Sequence, residues 1–149
     1  MPFDSDSYLL THFHGEHCGE MKIEHDLLSH GVKTLESRKG IRTTRKSNPS
    51  FMLSLDNKSY NENHGEVVAG SLAWSGNWCL EFNVDELESL TVTCGINPYV
   101  SPWKLLPSKT FVTPDMIWTW TDKGAGQASR NLHDYARAKK VYSGLDVKV

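Results

Sequence analysis

The densest run of side chains able to do chemistry lies near the start of the 149-residue chain, in Leu9-Leu10-Thr11-His12-Phe13-His14-Gly15-Glu16-His17-Cys18-Gly19. Imidazoles spaced like His12, His14 and His17 can ligate one Zn²⁺. An adjacent carboxylate such as Glu16 can help to hold a second, and water bound to the metal then ionises near neutral pH. His25 and His30 follow, so five of the chain's seven histidines fall within residues 12–30. Glu20, Glu24 and Asp26 add carboxylates to the same stretch. Two of them would work as an acid and base pair only if folding placed them together in different environments. Solvated surface is the simpler expectation for these carboxylates.

No other stretch competes for chemistry. Ser75 and Ser129 lie in no G-x-S-x-G elbow, and Gly124-Ala125-Gly126 is too short to cradle a phosphate. The three cysteines, Cys18, Cys79 and Cys94, are far apart and odd in number. They describe no disulfide framework and read as small, half-buried hydrophobes. Trp74, Trp78, Trp103, Trp118 and Trp120 could stack on sugar rings, as in a carbohydrate-binding module. Trp78 and Trp118 share strand faces with other large apolar residues, however, so core packing is expected for both. Trp103, beside Pro102 in a loop-like stretch, is the best exposed candidate.

Charge narrows the partners. A net charge of −2 and a pI near 6.4 give no electrostatic case for a nucleic acid. The basic stretch from Arg38 to Lys46 reads as a solvated face. No apolar run approaches the roughly 18 residues of a membrane span, and Met1 to Tyr8 lacks the basic start and apolar middle of a signal peptide. The compartment stays open.

The elements that must position these residues are mostly strands. Trp78, Leu80, Phe82 and Val84 alternate with Cys79, Glu81, Asn83 and Asp85, one face apolar and the other polar. Met116, Trp118 and Trp120 alternate with Ile117, Thr119 and Thr121, and Leu90, Val92 and Cys94 with Thr91 and Thr93. Residues 21–28, 34–38, 51–55 and 67–74 complete the set. Asn48-Pro49, Asn97-Pro98, Ser75-Gly76 and the polar run 57–65 punctuate it. Gly76-Asn77 is expected to turn a hairpin, because both residues tolerate positive φ. Only residues 128–140 look helical, with Leu132, Tyr135, Ala136 and Lys139 on one face and Ser129 or Gln127 near the start. The expected fold is all-β: an antiparallel β-sandwich with one short C-terminal helix.

Four segments, taken in order, resemble glycoside hydrolase family 36. They are Glu36-Ser37-Arg38-Lys39-Gly40-Ile41-Arg42 with Asn48-Pro49-Ser50-Phe51; Gly65-Glu66-Val67-Val68 with Trp74-Ser75-Gly76-Asn77-Trp78; Gly95-Ile96-Asn97-Pro98 with Trp103-Lys104-Leu105 and Phe111-Val112-Thr113-Pro114; and Ala128-Ser129-Arg130-Asn131-Leu132-His133. The resemblance covers the chain from about Tyr8 to Tyr142. Thr43, Thr44 and Arg45 stand where the best-known members carry Ser-Ser-His, which points to a subgroup.

The resemblance implies that the sandwich is the later part of a β-supersandwich packed on a catalytic (β/α)₈ barrel. Residues 1–127 would form the sandwich and 128–149 a helix and linker towards that barrel. The family hydrolyses terminal α-galactosides with retention, which takes two carboxyl groups roughly 5–5.5 Å apart. The Lys-Trp-Asp and Ser-Gly-Gly-Arg contexts that carry the family's two Asp residues occur nowhere here. Trp120-Thr121-Asp122 lies in a strand-to-turn step. No catalytic residue, metal or cofactor is therefore expected in this chain, and no substrate-binding residue is assigned. The implied partners are the parent's own barrel, its α-galactoside substrate and further copies in a homo-oligomer. A domain without its barrel should expose apolar patches, and so dimerise or dissolve poorly.

The histidine run, for its part, is similar to the HxHxDH motif of metallo-β-lactamase-type hydrolases. Glu16 stands in place of that motif's Asp and sets the carboxylate one methylene further out. Only eleven residues precede His12, and the distant ligands are limited to His64, His133, Asp56, Asp85 and Asp122. The expectation is that His12, His14 and His17 decorate the wet face of a strand and its turn.

Overall fold

The computed structural model describes residues 8–42, 44, 46–55, 60–99, 102 and 104–139. Eight strands precede one helix: β1 (Tyr8–Glu16), β2 (Gly19–Leu28), β3 (Gly31–Ser37), β4 (Lys46–Ser54), β5 (Val67–Ala73), β6 (Trp78–Val84), β7 (Leu90–Ile96), β8 (Asp115–Thr121) and α1 (Gly124–Ala138). They form two antiparallel sheets, ordered β2-β1-β4-β5-β8 and β3-β6-β7. The sandwich with one C-terminal helix is the expected fold.

The alternation of β6 sets the core. Trp78, Leu80, Phe82 and Val84 are buried and meet Leu10, Phe51, Leu53 and Leu72 from the opposing sheet. Each such side chain removed from water stabilises by about 1.5–3 kcal/mol. Phe51 and Phe82 meet edge to face at 4.9 Å, which puts β6 over β4. Tyr8 of β1 reaches the β6–β7 turn, its hydroxyl donating to the Glu88 carbonyl at 3.0 Å.

The exposure of β8 corrects one expectation. Trp118 points into the sandwich layer and touches Phe51 at 5.5 Å, yet it stays 45% exposed, and Trp120 56%. A strand's alternation names its apolar face but says nothing of whether a second sheet reaches over it. Trp78, in contrast, is fully buried as expected. Trp103 lies outside the described residues.

Gly76-Asn77 does not turn a hairpin. β5 and β6 belong to different sheets, and residues 74–77 carry the chain across. Trp74 Nε1 donates to the Asn77 carbonyl at 3.2 Å within this crossing. Local turn chemistry is the same in both cases, so sequence could not separate them.

The helix begins at Gly124, a turn earlier than its apolar periodicity indicates. Glycine is a poor helix former in isolation, but here the first turn is packed. Gly124 N, Ala125 N and Gly126 N donate to the carbonyls of Gly65, Asn61 and Glu62 at 3.0, 2.9 and 3.0 Å. Those are the donors a helix start leaves open. A Cβ at Gly124, whose φ is +75°, would stand 2.4 Å from the Asn61 carbonyl oxygen. Ala128 and Leu132 then lie on Val67, Ala69, Met52 and Tyr60, on the outer face of the larger sheet. Tyr135, placed by periodicity on the same face, is 39% exposed.

Candidate functional site

The first cluster with chemical potential is the histidine run. β1 pairs with β2 so that His12 stands opposite Glu24 and His14 opposite Lys22. His12 is not on a wet face: it is 4% exposed, because the inner side of β1 faces the sandwich interior beside Leu10. Its Nε2 lies 2.7 Å from Asp26 Oδ2, and Lys33 Nζ of β3 reaches the same oxygen at 2.7 Å. Burial alone would raise the Asp26 carboxyl, but the hydrogen bonds from Lys33 and His12 and their charge outweigh it and hold it below its ordinary value.

The three imidazoles take separate partners. His14 Nδ1 is 3.2 Å from Glu24, and His17, almost fully exposed in the β1–β2 turn, is 3.9 Å from Glu20. His64 lies in a loop turned by the Asn61 side chain, which accepts from Asn63 N and His64 N at 2.9 and 2.8 Å. His133 is exposed on α1. Asp85 holds the β6–β7 turn, accepting from Leu87 N and Ser89 N. Asp56 lies outside the described residues.

Among the described residues, the one group with metal-like spacing is His12, Glu24 and Asp26, whose ligand atoms lie within 4.8 Å of one another. It suits a metal poorly. Ligating imidazoles normally pass their second nitrogen to a carboxylate or carbonyl, and His12 Nδ1 is buried without a partner. Lys33 already supplies the positive charge at Asp26. The cluster works as a polar tie between the two sheets.

The second cluster was quoted in sequence only as scattered motif segments, and folding joins them at one end of the sandwich. Asn97, 1% exposed, donates from Nδ2 to Glu36 Oε2 at 2.7 Å and to the Trp78 carbonyl at 3.3 Å. Its Oδ1 accepts from Tyr99 N at 2.9 Å, and its backbone N–H donates to the Asn77 carbonyl at 3.0 Å. Asn77 Oδ1 in turn accepts from Gly40 N at 2.7 Å. Arg38 grips Glu36 through Nε at 2.9 Å and Nη2 at 2.8 Å, and its guanidinium lies 4.0 Å over the Tyr99 ring.

Burial pushes the Glu36 carboxyl up, and the bonds from Asn97 and Arg38 pull it down further, for a net lowering. A carboxylate so fully engaged as an acceptor is no free acid or base. The Cys79 and Cys94 thiols are pushed up, by burial first and for Cys79 also by Glu81 and Glu36, which disfavours their thiolate forms. A cleft of about 1100 Å³ opens beside this end, lined among others by Trp74, Ile96, Pro98, Phe111, Pro114 and Met116. Asn77 and Asn97 lie 20 residues apart and Arg38 meets Tyr99 across 61, so no local periodic signal lets sequence alone assemble the network.

Among the described residues no helix is long and apolar enough to cross a membrane. A sequence profile of the glycosyl hydrolase family 36 N-terminal domain matches residues 1–106. The α-galactosidase AgaA of Geobacillus stearothermophilus is 32% identical over 137 residues, which is 92% of this chain and 18% of AgaA. The α-galactosidase Mel36A of Lactobacillus acidophilus is 32% identical over 130 residues, 87% of this chain and 17% of that protein. The crystal structure of AgaA superposes with a TM-score of 0.82 over 91% of this chain and 18% of its own. The α-galactosidase from Lactobacillus brevis gives the same TM-score at 27% identity over 91% of this chain and 18% of that one. The chain thus spans less than a fifth of the length of the relatives it matches. Agreement of profile, sequence and fold over most of its length shows that the chain belongs to glycoside hydrolase family 36, within that family's N-terminal domain.

Proposed function

We propose that this chain serves as the non-catalytic β-sandwich of an α-galactosidase, holding a catalytic barrel and its homo-oligomeric assembly in place. In that reading residues 1–127 are the sandwich, residues 128–149 lead towards the barrel, and the parent hydrolyses terminal α-galactosides of oligosaccharides with retention. The observation that carries it is the 32% identity to AgaA over nearly all of this chain but only 18% of AgaA. A doubly substituted variant of AgaA has been crystallised in complex with raffinose. The inner chemistry supports the reading. Asp26 and Glu36 are committed to structural partners, so neither is free to serve in the pair of carboxyl groups that retention requires.

The test is a transplant. AgaA whose matched segment is replaced by this chain should fold and hydrolyse raffinose, while the isolated chain should release no galactose. Galactose released by the isolated chain, or full activity in AgaA lacking the segment altogether, would sink the proposal.

A further inference from the structure

The asparagine network at the end of the sandwich also fastens an indole. The Asn77 carbonyl accepts from the Asn97 N–H at 3.0 Å and from Trp74 Nε1 at 3.2 Å. Trp74 N donates to the Leu72 carbonyl at 3.0 Å, which turns the chain tightly as it leaves β5. Gly76 lies against the ring, since a Cβ there would stand 2.6 Å from Nε1. Yet Trp74 is not core. It stays 39% exposed and lines the cleft of about 1100 Å³. An indole fixed by its own N–H and still open to a cleft is a platform that loses little freedom when a ligand settles on it.

The pairing of β5 with β8 brings a carboxylate to the same cleft. Ala73 stands opposite Asp115, so Asp115 begins β8 one position from Trp74 across the ladder, and both residues line the cleft. Thr113 lines it too, two residues before Asp115. Among the described residues Asp115 is the one charged member of the lining, and its carboxylate has no side-chain partner there. Asn97 in the wall is already committed to Glu36, Trp78 and Tyr99. What remains is an apolar platform, a hydroxyl and one free acceptor group. Mostly apolar walls with a few placed polar groups, in a volume of this order, suit a small molecule. The ligand has to be neutral, offer an apolar face and donate hydroxyls.

We infer that this cleft binds a galactosyl ring of a neutral oligosaccharide, with the ring's C–H face on Trp74 and neighbouring hydroxyls donating to Asp115. A pyranose meets both demands at once, because its ring carries C–H groups on its faces and hydroxyls around its rim. The axial 4-hydroxyl of galactose leaves the other side of the ring lined with C–H groups, which suits a flat indole. The choice of galactose over another hexose rests on the domain reading above. A single carboxylate cannot supply the pair that retaining hydrolysis requires, so the site holds the sugar without cleaving it.

The test titrates the 149-residue chain with raffinose, which ends in an α-galactosyl unit, and with sucrose, which lacks it, while indole and amide resonances are followed. Saturable raffinose binding is expected with a Kd on the order of 1 mM. It should shift the Trp74 indole N–H and the amides of Thr113 and Asp115, and sucrose should bind about tenfold more weakly or not at all. Trp74→Ala should weaken raffinose about tenfold and Asp115→Asn about threefold, whereas Trp120→Ala, at another exposed ring, should change nothing. Should Trp74→Ala unfold the crossing, Trp74→Phe and the wild-type indole shift still decide the matter. Absence of saturable raffinose binding overturns the proposal, as does equal affinity for sucrose, or shifts confined to Trp118 and Trp120. An active AgaA transplant alongside a chain that ignores raffinose defeats the sugar site and leaves the domain reading standing. An inactive transplant alongside a chain that binds raffinose through Trp74 does the reverse.

Discussion

Asp26 binds two strands at once, and its energetics can be tested with a single oxygen. His12 and Lys33 both use Oδ2, so Asp26→Asn leaves a buried imidazole and an ammonium without their charged acceptor. The expected cost is about 1–2 kcal/mol, discounted for the part of the site that reaches solvent. Its pH dependence has a definite sign. The folded carboxyl lies below its ordinary value, so the stabilisation is complete at neutral pH and drains away as pH falls through the depressed folded value. Urea midpoints of wild type and Asp26→Asn should differ at pH 7 and converge in strong acid. A gap that persists in acid would mean that the side chain's shape matters and not its charge. The sequence made His12 visible but pointed it the wrong way, since a strand's alternation has two faces and nothing local says which one the second sheet will cover.

The first turn of α1 shows tertiary contact overriding propensity. Gly124→Ala must force a side chain into a φ of +75° and against the Asn61 carbonyl oxygen at 2.4 Å. A loss of roughly 1–3 kcal/mol is expected in thermal or urea unfolding. Were the glycines merely a flexible entry to the helix, the same change would stabilise it. In the smaller sheet, β6 supplies the interior, and Phe82→Ala should cost about 3–5 kcal/mol because it removes both apolar burial and the ring contact with Phe51. Six of the eight strands were anticipated near their true bounds, and the helix apart from its first turn; β1 was expected without bounds, and Asn48-Pro49, read as a turn, lies inside β4, which starts at Lys46. What could not be anticipated was the route between β5 and β6, because a tight turn and a crossing between sheets use the same glycine, asparagine and serine.

For the molecule as a whole, β8 leaves two large apolar rings, Trp118 and Trp120, about half exposed. Trp120→Ser should lower the binding of an apolar dye and improve solubility while changing the unfolding midpoint little, since the ring is 56% exposed and its one hydrogen bond, to Glu66 at 2.8 Å, is exposed too. A large drop in the midpoint would place that ring in the core after all. From its order of residues alone the chain declared a two-faced β architecture, a closing helix and membership of a glycosidase family, because alternation and motif order are properties of neighbours along the backbone. Only the folded structure decided that His12 is interior, that Glu36, Arg38, Asn77, Asn97 and Tyr99 form one network, and that Trp118 stays half exposed. Those outcomes depend on which sheet lies over which strand, and that is set by long-range packing between residues that do not neighbour one another in sequence.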